Sequence, residues 1–226
     1  MKKTFYTEMA YVIGIITLAL GTAFMEKADF GMSMVVAPAY LTYLRVSEYV
    51  SWFSFGMAEY CLQAVLIIIL AIILRRFKRK YIFSFITAFI YGNVLDLMMK
   101  AMTLIEGDSL ALRIVCYGSG LIICAIGVAL LFNTYISPEA YELFVKEISS
   151  KFNFSISKTK TAYDCCSCLI AIMMSFMFMG FGHFEGVKWG TVICALVNGS
   201  LIGLCSKLFE KYYTFSDAFN LRRFFE

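Results

Sequence analysis

Long apolar runs separated by polar turns dominate the chain. Six of them reach spanning length: 9–25, 52–74, 82–99, 114–132, 165–181 and 187–208. About 20 apolar residues of helix cross the hydrocarbon core of a bilayer, and backbone amides at that depth must be paired within their own helix. The pattern therefore predicts an all-α, polytopic membrane bundle of six spans. Two connections depart from simple turns. Segment 28–51 is too long for a tight turn and too apolar for a free loop. Its counterpart, 133–161, contains Ser137-Pro138-Glu139, which reads as a helix start with a capping hydroxyl, a proline in the first turn and an acid at the positive dipole end. A short extra helix, interfacial or re-entrant, is predicted after each of spans 1 and 4. Ala140, Leu143, Phe144 and Ile148 share one side of the second, with Glu142, Lys146 and Glu147 among its polar positions. That suits a helix lying on the membrane surface, or one dipping in with its N-terminus toward a substrate. The first-copy segment Gly31 to Pro38 is less polar and could dip deeper.

Small and polar positions recur at a nearly fixed displacement. Tyr11, Gly14, Ala19, Gly21 and Ala23 reappear as Tyr117, Gly120, Ala125, Gly127 and Ala129, each 106 residues later. Ser33 matches Ser137, Ser54 matches Thr159, Glu59 matches Asp164, and Tyr91-Gly92 matches Asn198-Gly199, at displacements of 104 to 107. Small residues recur in spans for packing reasons alone, so the acid-for-acid match weighs most. Three spans per copy, an odd number, place the copies upside down relative to each other. The expected organisation is one membrane domain, 1–226, with repeat 1 at about 9–103, repeat 2 at about 114–208 and a tail at 209–226.

Composition agrees: 61% of residues are hydrophobic and 16% charged, against about 25% charged in a typical soluble domain. Six spans leave no room for a soluble domain, so function must reside in the bundle. Lys2 and Lys3 precede span 1, whose apolar run is too long for a secretory signal and lacks a small-x-small cleavage site, so an uncleaved span is expected. With the N-terminus inside, fifteen of the twenty Lys and Arg residues fall on the cytoplasmic side, including Arg75, Arg76, Lys78, Arg79, Lys80, Lys158 and Lys160. Only Lys27, Arg45, Lys100, Arg113 and Lys188 fall outside. The expected location is the cell inner (plasma) membrane with both termini cytoplasmic. The net charge of +4 then reflects orientation, and no nucleic-acid partner is expected. Aromatic and basic residues of the tail, such as Tyr212, Phe219, Arg222, Phe224 and Phe225, suit headgroup anchoring more than partner docking.

Ionisable groups at membrane depth are costly, which makes each a candidate site. Glu59 lies in span 2 and Asp164 at the entrance of span 5. In inverted copies the two carboxylates approach a shared centre from opposite sides, as paired proton or cation sites would; alternatively, both reach for interfacial water. Asp96 has Lys100 one turn later, a spacing for self-neutralisation. Asn93 beside Gly92 and Asn198 beside Gly199 form polar notches that could bind a ligand or bond between helices. His183 and Glu185 occupy the external turn, where a pH-sensing role is a weaker expectation. The eight cysteines, Cys165-Cys166-Ser167-Cys168 the densest group, accompany a single His and read as small apolar residues, so no metal site or disulfide framework is assigned. Metalloprotease spacing, a nucleophile elbow and a phosphate-binding glycine loop are all missing from the sequence, and no enzyme activity or cofactor is expected.

Lys158-Thr159-Lys160-Thr161-Ala162-Tyr163-Asp164, Gly186-Val187-Lys188-Trp189-Gly190-Thr191 and Ala195-Leu196-Val197-Asn198-Gly199 resemble the bacterial YczE/YyaS/YitT group of small integral membrane proteins. Gly31-Met32-Ser33 fits the same group, although Met34 stands where its members tend to have proline. The resemblance runs from about Tyr11 to Lys207. It implies a bacterial inner-membrane protein of this size and supplies no active-site residues. The expected function, drawn from architecture, is a small-solute secondary transporter or exporter, coupled to protons or sodium through Glu59 and Asp164. Alternatives are a non-transporting regulatory protein that binds a partner, or a substrate-binding membrane subunit of a larger importer. Expected partners are the lipid bilayer, a small-molecule or ion substrate, and other copies of the chain in a homo-oligomer.

Overall fold

The computed structural model describes residues 2–105, 107, 109–154, 156–180, 187–219 and 222. The chain opens with strand β1 (Lys3–Tyr6), followed by α1 (Thr7–Ala28), α2 (Ala37–Ser47), α3 (Phe55–Leu74), α4 (Arg79–Met102), α5 (Leu110–Phe132), α6 (Ala140–Phe152), α7 (Ile156–Met179) and α8 (Trp189–Tyr212), and then strand β2 (Tyr213–Ser216). Six of these helices are long and apolar enough to cross a membrane, namely all but α2 and α6. The protein is a multi-pass membrane protein. The fifth spanning helix starts nine residues earlier than Cys165, because Lys160 and Asp164 are buried within it as a pair. The turn holding His183 and Glu185, together with Phe181 and the tail residues Phe224 and Phe225, lies outside the described residues.

Helices α1 and α5 form the spine of the bundle and cross antiparallel at glycines. A methyl group on Gly21 would come within 2.8 Å of the Gly120 carbonyl, and one on Gly120 within 2.9 Å of the Gly21 carbonyl. Gly127 and Gly14 are related in the same way, at 2.9 and 3.2 Å. Absence of side chains at these four positions lets the backbones touch, which is how helices associate where lipid supplies no hydrophobic drive. Midway, Cys124 Sγ faces the Leu18 carbonyl at 3.7 Å. Around this spine α1 packs on α4 and α5 on α8, while α3 packs on α4 and α7 on α8.

The two short helices both wedge between α3 and α7. α2, 11 residues long, and α6, 13 residues long, extend about 16 and about 20 Å, short of the roughly 30 Å hydrocarbon core. The stretch leading into α2 (Met32, Ser33, Met34, Val35 and Val36) is buried, and Pro38 in its first turn suits a helix start. Gly31 enters this stretch at φ 106°, with Thr191 and Lys188 pressed against it, a backbone angle and a space that favour glycine. α6 is buried along Ala140, Tyr141, Glu142, Leu143, Val145, Glu147 and Ser149. Its N-terminus meets Gln63, eleven residues before the end of α3, whereas near its other end Lys151 donates to the carbonyl of Ile73 at 2.7 Å. The helix therefore lies within the bundle alongside the second half of α3, with its N-terminus the inner end.

The start of the chain and its tail as far as Phe219 gather on one face. β1 and β2 pair in parallel, Lys3 opposite Tyr213 through Tyr6 opposite Ser216. Glu8 accepts hydrogen bonds from the amides of Ala218 and Phe219, each at 3.0 Å, and from the Tyr135 hydroxyl at 2.7 Å. The tail as far as Phe219 is thus stitched to the start of the chain and is neither a loose anchor nor a free arm.

Candidate functional site

The site grows from the way α3 begins. Ser54 caps the helix by accepting the Met57 amide at 3.1 Å, and Asp96 of α4 receives the Gly56 amide at 2.8 Å and the Ser54 hydroxyl at 2.6 Å. A carboxylate on exposed amides at the positive end of a helix is a stable arrangement. Asp96 therefore holds α3 in place. It does not pair with Lys100 as its spacing suggested. Gly56 and Gly92 lie against each other at the same level, fixing the register of α3 on α4. One turn further along α3, Glu59 points into the protein, fully buried.

Here the N-terminus of α6 arrives. Gln63, also fully buried and four residues after Glu59, accepts the Ala140 amide on its side-chain carbonyl at 2.9 Å and donates to Glu139 Oε2 at 3.2 Å. Its amide nitrogen also lies 3.4 Å from Glu59 Oε2. A side chain from one helix thereby caps another. The chain just before α6 is held by α4: the Ser84 hydroxyl donates to the Pro138 carbonyl at 2.7 Å and the Thr87 hydroxyl to the Ser137 carbonyl at 2.9 Å. Ser137 is thus an anchor for its carbonyl, not the cap its sequence suggested, and the helix starts at Ala140.

On the opposite side, α7 brings an ammonium, that of Lys160. Lys160 lies 3.2 Å from Asp164 one turn later and 3.5 Å from Glu142 of α6, with its Nζ 5.7 Å from the centre of the Tyr163 ring. Tyr141 completes the set by donating to Glu59 Oε2 at 2.9 Å. Glu59, Glu139, Glu142 and Asp164 are each no more than 3% exposed, and Lys160 is 6% exposed. Among the described residues, four carboxyl groups thus gather around the Lys160 amine. Glu59 Oε1, Glu139 Oε1 and Glu142 Oε2 have no hydrogen-bond partner among the described residues. Unpaired buried carboxylates are expensive, so such a cluster holds protons or takes up cations. Burial, then the charges of Glu142 and Glu59, push the Glu139 carboxyl well above the usual carboxylate range.

Of the residues singled out from sequence, Glu59 and Asp164 belong to this cluster and Asp96 serves as a cap beside it. Asn198 is buried in α8 with its Oδ1 unpaired among the described residues. Asn93 is exposed on the outside of α4 and donates to its own helix, at the Phe89 carbonyl, at 2.7 Å. The two notches are not equivalent: the repeat aligns Asn198 with Tyr91, and Asn93 follows Tyr91 by two positions, about 200° around the helix. Gln63, Glu139, Tyr141, Glu142 and Lys160 were not picked out as site residues. The first had a signal, since a glutamine four residues after a glutamate in an otherwise apolar span marks one polar face.

The family described as "Family of unknown function (DUF6198)" matches residues 5–207. The "Uncharacterized protein YyaS" of Bacillus subtilis (strain 168) is 24% identical over 210 residues, covering 91% of this chain and 94% of that protein. No solved structure matches.

Proposed function

From the premise that the chain belongs to the DUF6198 family, we propose that it is a secondary transporter of a small solute, coupled to protons or a monovalent cation through the cluster of Glu59, Glu139, Glu142 and Asp164. One observation carries the reading. Four buried carboxyl groups gather around Lys160 at the buried N-terminus of α6, a helix too short to span a bilayer. Discontinuous helices that end at the midplane beside ionisable groups are the usual construction of transporter sites. A protein that only packed or anchored would gain nothing from so costly a group of acids.

The internal duplication supports the same reading. Contacts in the spine exchange under the 106-residue displacement: Gly14 meets Gly127, the counterpart of Gly21, while Gly21 meets Gly120, the counterpart of Gly14, and Leu18 faces its own counterpart, Cys124. Reciprocal contact of this kind is what a two-fold axis produces. Tyr11 bonds Thr87 of α4 and its counterpart Tyr117 bonds Gly190 of α8. Inverted repeats, with α1 to α4 opposed to α5 to α8 and a re-entrant helix in each, account for all of these. The basic residues around Arg75 to Lys80 favour a cytoplasmic position for the face that carries the start of the chain and its tail, in a bacterial plasma membrane.

The test is charge movement by full-length protein in proteoliposomes on a solid-supported membrane. A pH jump should displace charge in the native protein and not in Glu59→Gln, with a sodium jump run alongside to identify the ion. A native protein silent to both jumps, or a Glu59→Gln variant as active as the native one, overturns the proposal.

A further inference from the structure

Beside the carboxylate cluster lies an apolar cleft of about 430 Å3, walled by α3 and α7 and backed by α2 and α6. Leu62, Leu66 and Ile69 form one wall, Ala162 and Ile170 the other, and Phe144 lies at the back. The short helices keep the two walls apart. Ile69, Ala162 and Ile170 are themselves exposed, so the cleft opens sideways, toward lipid. Between cleft and cluster stand two tyrosines that belong to both. Tyr141 lines the cleft and donates to Glu59, and Tyr163 lines the cleft with Lys160 over its ring.

Building on the proposed cation coupling, we infer that this cleft receives a lipophilic organic cation, its apolar body against Leu62, Leu66 and Phe144 and its positive charge toward the unpaired oxygens of Glu59 and Glu142. Charge complementarity selects this occupant. The wall would accept any apolar group, including a lipid chain, but a chain carries nothing to answer the unpaired oxygens of Glu59 and Glu142. A cation does so, and the aromatic faces of Tyr141 and Tyr163 favour it along the way. Protons and the cation then compete for the same oxygens, which is the linkage an exchanger needs. The groups facing this position are Glu59 and Gln63 from α3, Glu139, Tyr141 and Glu142 at the start of α6, and Lys160, Tyr163 and Asp164 from α7.

The experiment is equilibrium binding of tetraphenylphosphonium to purified full-length protein, with tetraphenylborate as an anion of the same shape. Tetraphenylphosphonium should bind, more weakly as pH falls, and tetraphenylborate should not. Leu66→Trp, and independently Ala162→Phe from the exposed wall, should each weaken binding about tenfold or more by filling the cleft. Val65→Trp, on the lipid-facing side of α3, should leave it unchanged. Equal binding of both probes would show a lipid groove indifferent to charge and would overturn the inference, as would binding that survives both filling variants. A protein that displaces charge on a pH jump yet fails to bind tetraphenylphosphonium refutes the inference and leaves cation coupling standing. Binding without charge movement refutes the coupling instead.

Discussion

The Tyr141 hydroxyl donates to Glu59 Oε2 at 2.9 Å, joining the short helix α6 to the long helix α3 through two buried side chains. Without it, among the described residues Glu59 keeps only the longer contact with Gln63, at 3.4 Å. A buried acceptor that loses its donor costs about 1 to 3 kcal/mol. Tyr141→Phe should therefore lower stability by about that amount in reversible denaturation in detergent. A variant as stable as the native protein would mean that this bond is not made in the folded state.

Among the described residues, Lys160 is the cluster's one amine, shared between Asp164 and Glu142. Removing one member of a buried ion pair strands its partner and typically costs about 3 to 5 kcal/mol. Lys160→Met should accordingly fold poorly or melt far below the native protein. Adding Glu142→Gln removes one stranded charge, so the double variant should recover part of the loss. Melting temperatures of the two variants in the same detergent check this, and a double variant no better than the single would place Glu142 outside the pairing.

Much of this architecture was legible in the chain. Apolar runs revealed all six spans because lipid leaves the backbone no alternative to helix, and the duplication marked the four glycines that meet in the spine. Glu59 and Asp164 stood out because carboxylates in apolar runs are rare. The start of α7 was hidden because charged residues end an apolar run, although Lys160 and Asp164 stand at the i,i+4 spacing of a pair. Glu139 read as the acid of a helix start and Glu142 as one of the polar positions of a surface-lying helix. A 13-residue helix with acids in its first turn looks amphipathic in sequence, and only the wedge between α3 and α7 makes it buried.

Stability should depend on pH in opposite senses at the two ends of α6. Glu139 has its carboxyl pushed well above the ordinary value of 4.5 by burial and by Glu142 and Glu59, so the folded state holds its proton more tightly than the unfolded state does. Its contribution is fully present below about pH 4.5 and is lost as pH rises through the raised value. Glu147 behaves conversely: burial raises it, but hydrogen bonds and charge from Lys78 and Lys80 outweigh burial and hold it below 4.5. Its contribution is present above that pH and is lost on acidification. Thermal melting from about pH 2 upward should therefore show Glu139→Gln flattening the alkaline decline and Glu147→Gln flattening the acid one. An unchanged alkaline limb in Glu139→Gln would show that this carboxyl is not what falls apart there.

The glycine crossing gives the most direct test of how α1 and α5 meet. Alanine at Gly21 would place its methyl 2.6 Å from the Cys124 amide nitrogen, and alanine at Gly120 would put one 2.9 Å from the Gly21 carbonyl. Backbone cannot yield as a side-chain tip can, so the helices must part, and overpacking of this kind costs about 1 to 3 kcal/mol. Gly118 lies on the same helix as Gly120 but has nothing within 4 Å of the added carbon. There, alanine should be neutral or stabilise by up to about 1 kcal/mol, the ordinary helix preference of alanine over glycine. Because Gly21 and Gly120 press on each other, their effects should also fall short of additivity: once one methyl has spread the helices, the second costs less. Melting of Gly21→Ala, Gly120→Ala, the double variant and Gly118→Ala distinguishes this contact from a general intolerance of alanine in α5. If Gly118→Ala proved as damaging as Gly120→Ala, helix composition and not the crossing would be responsible.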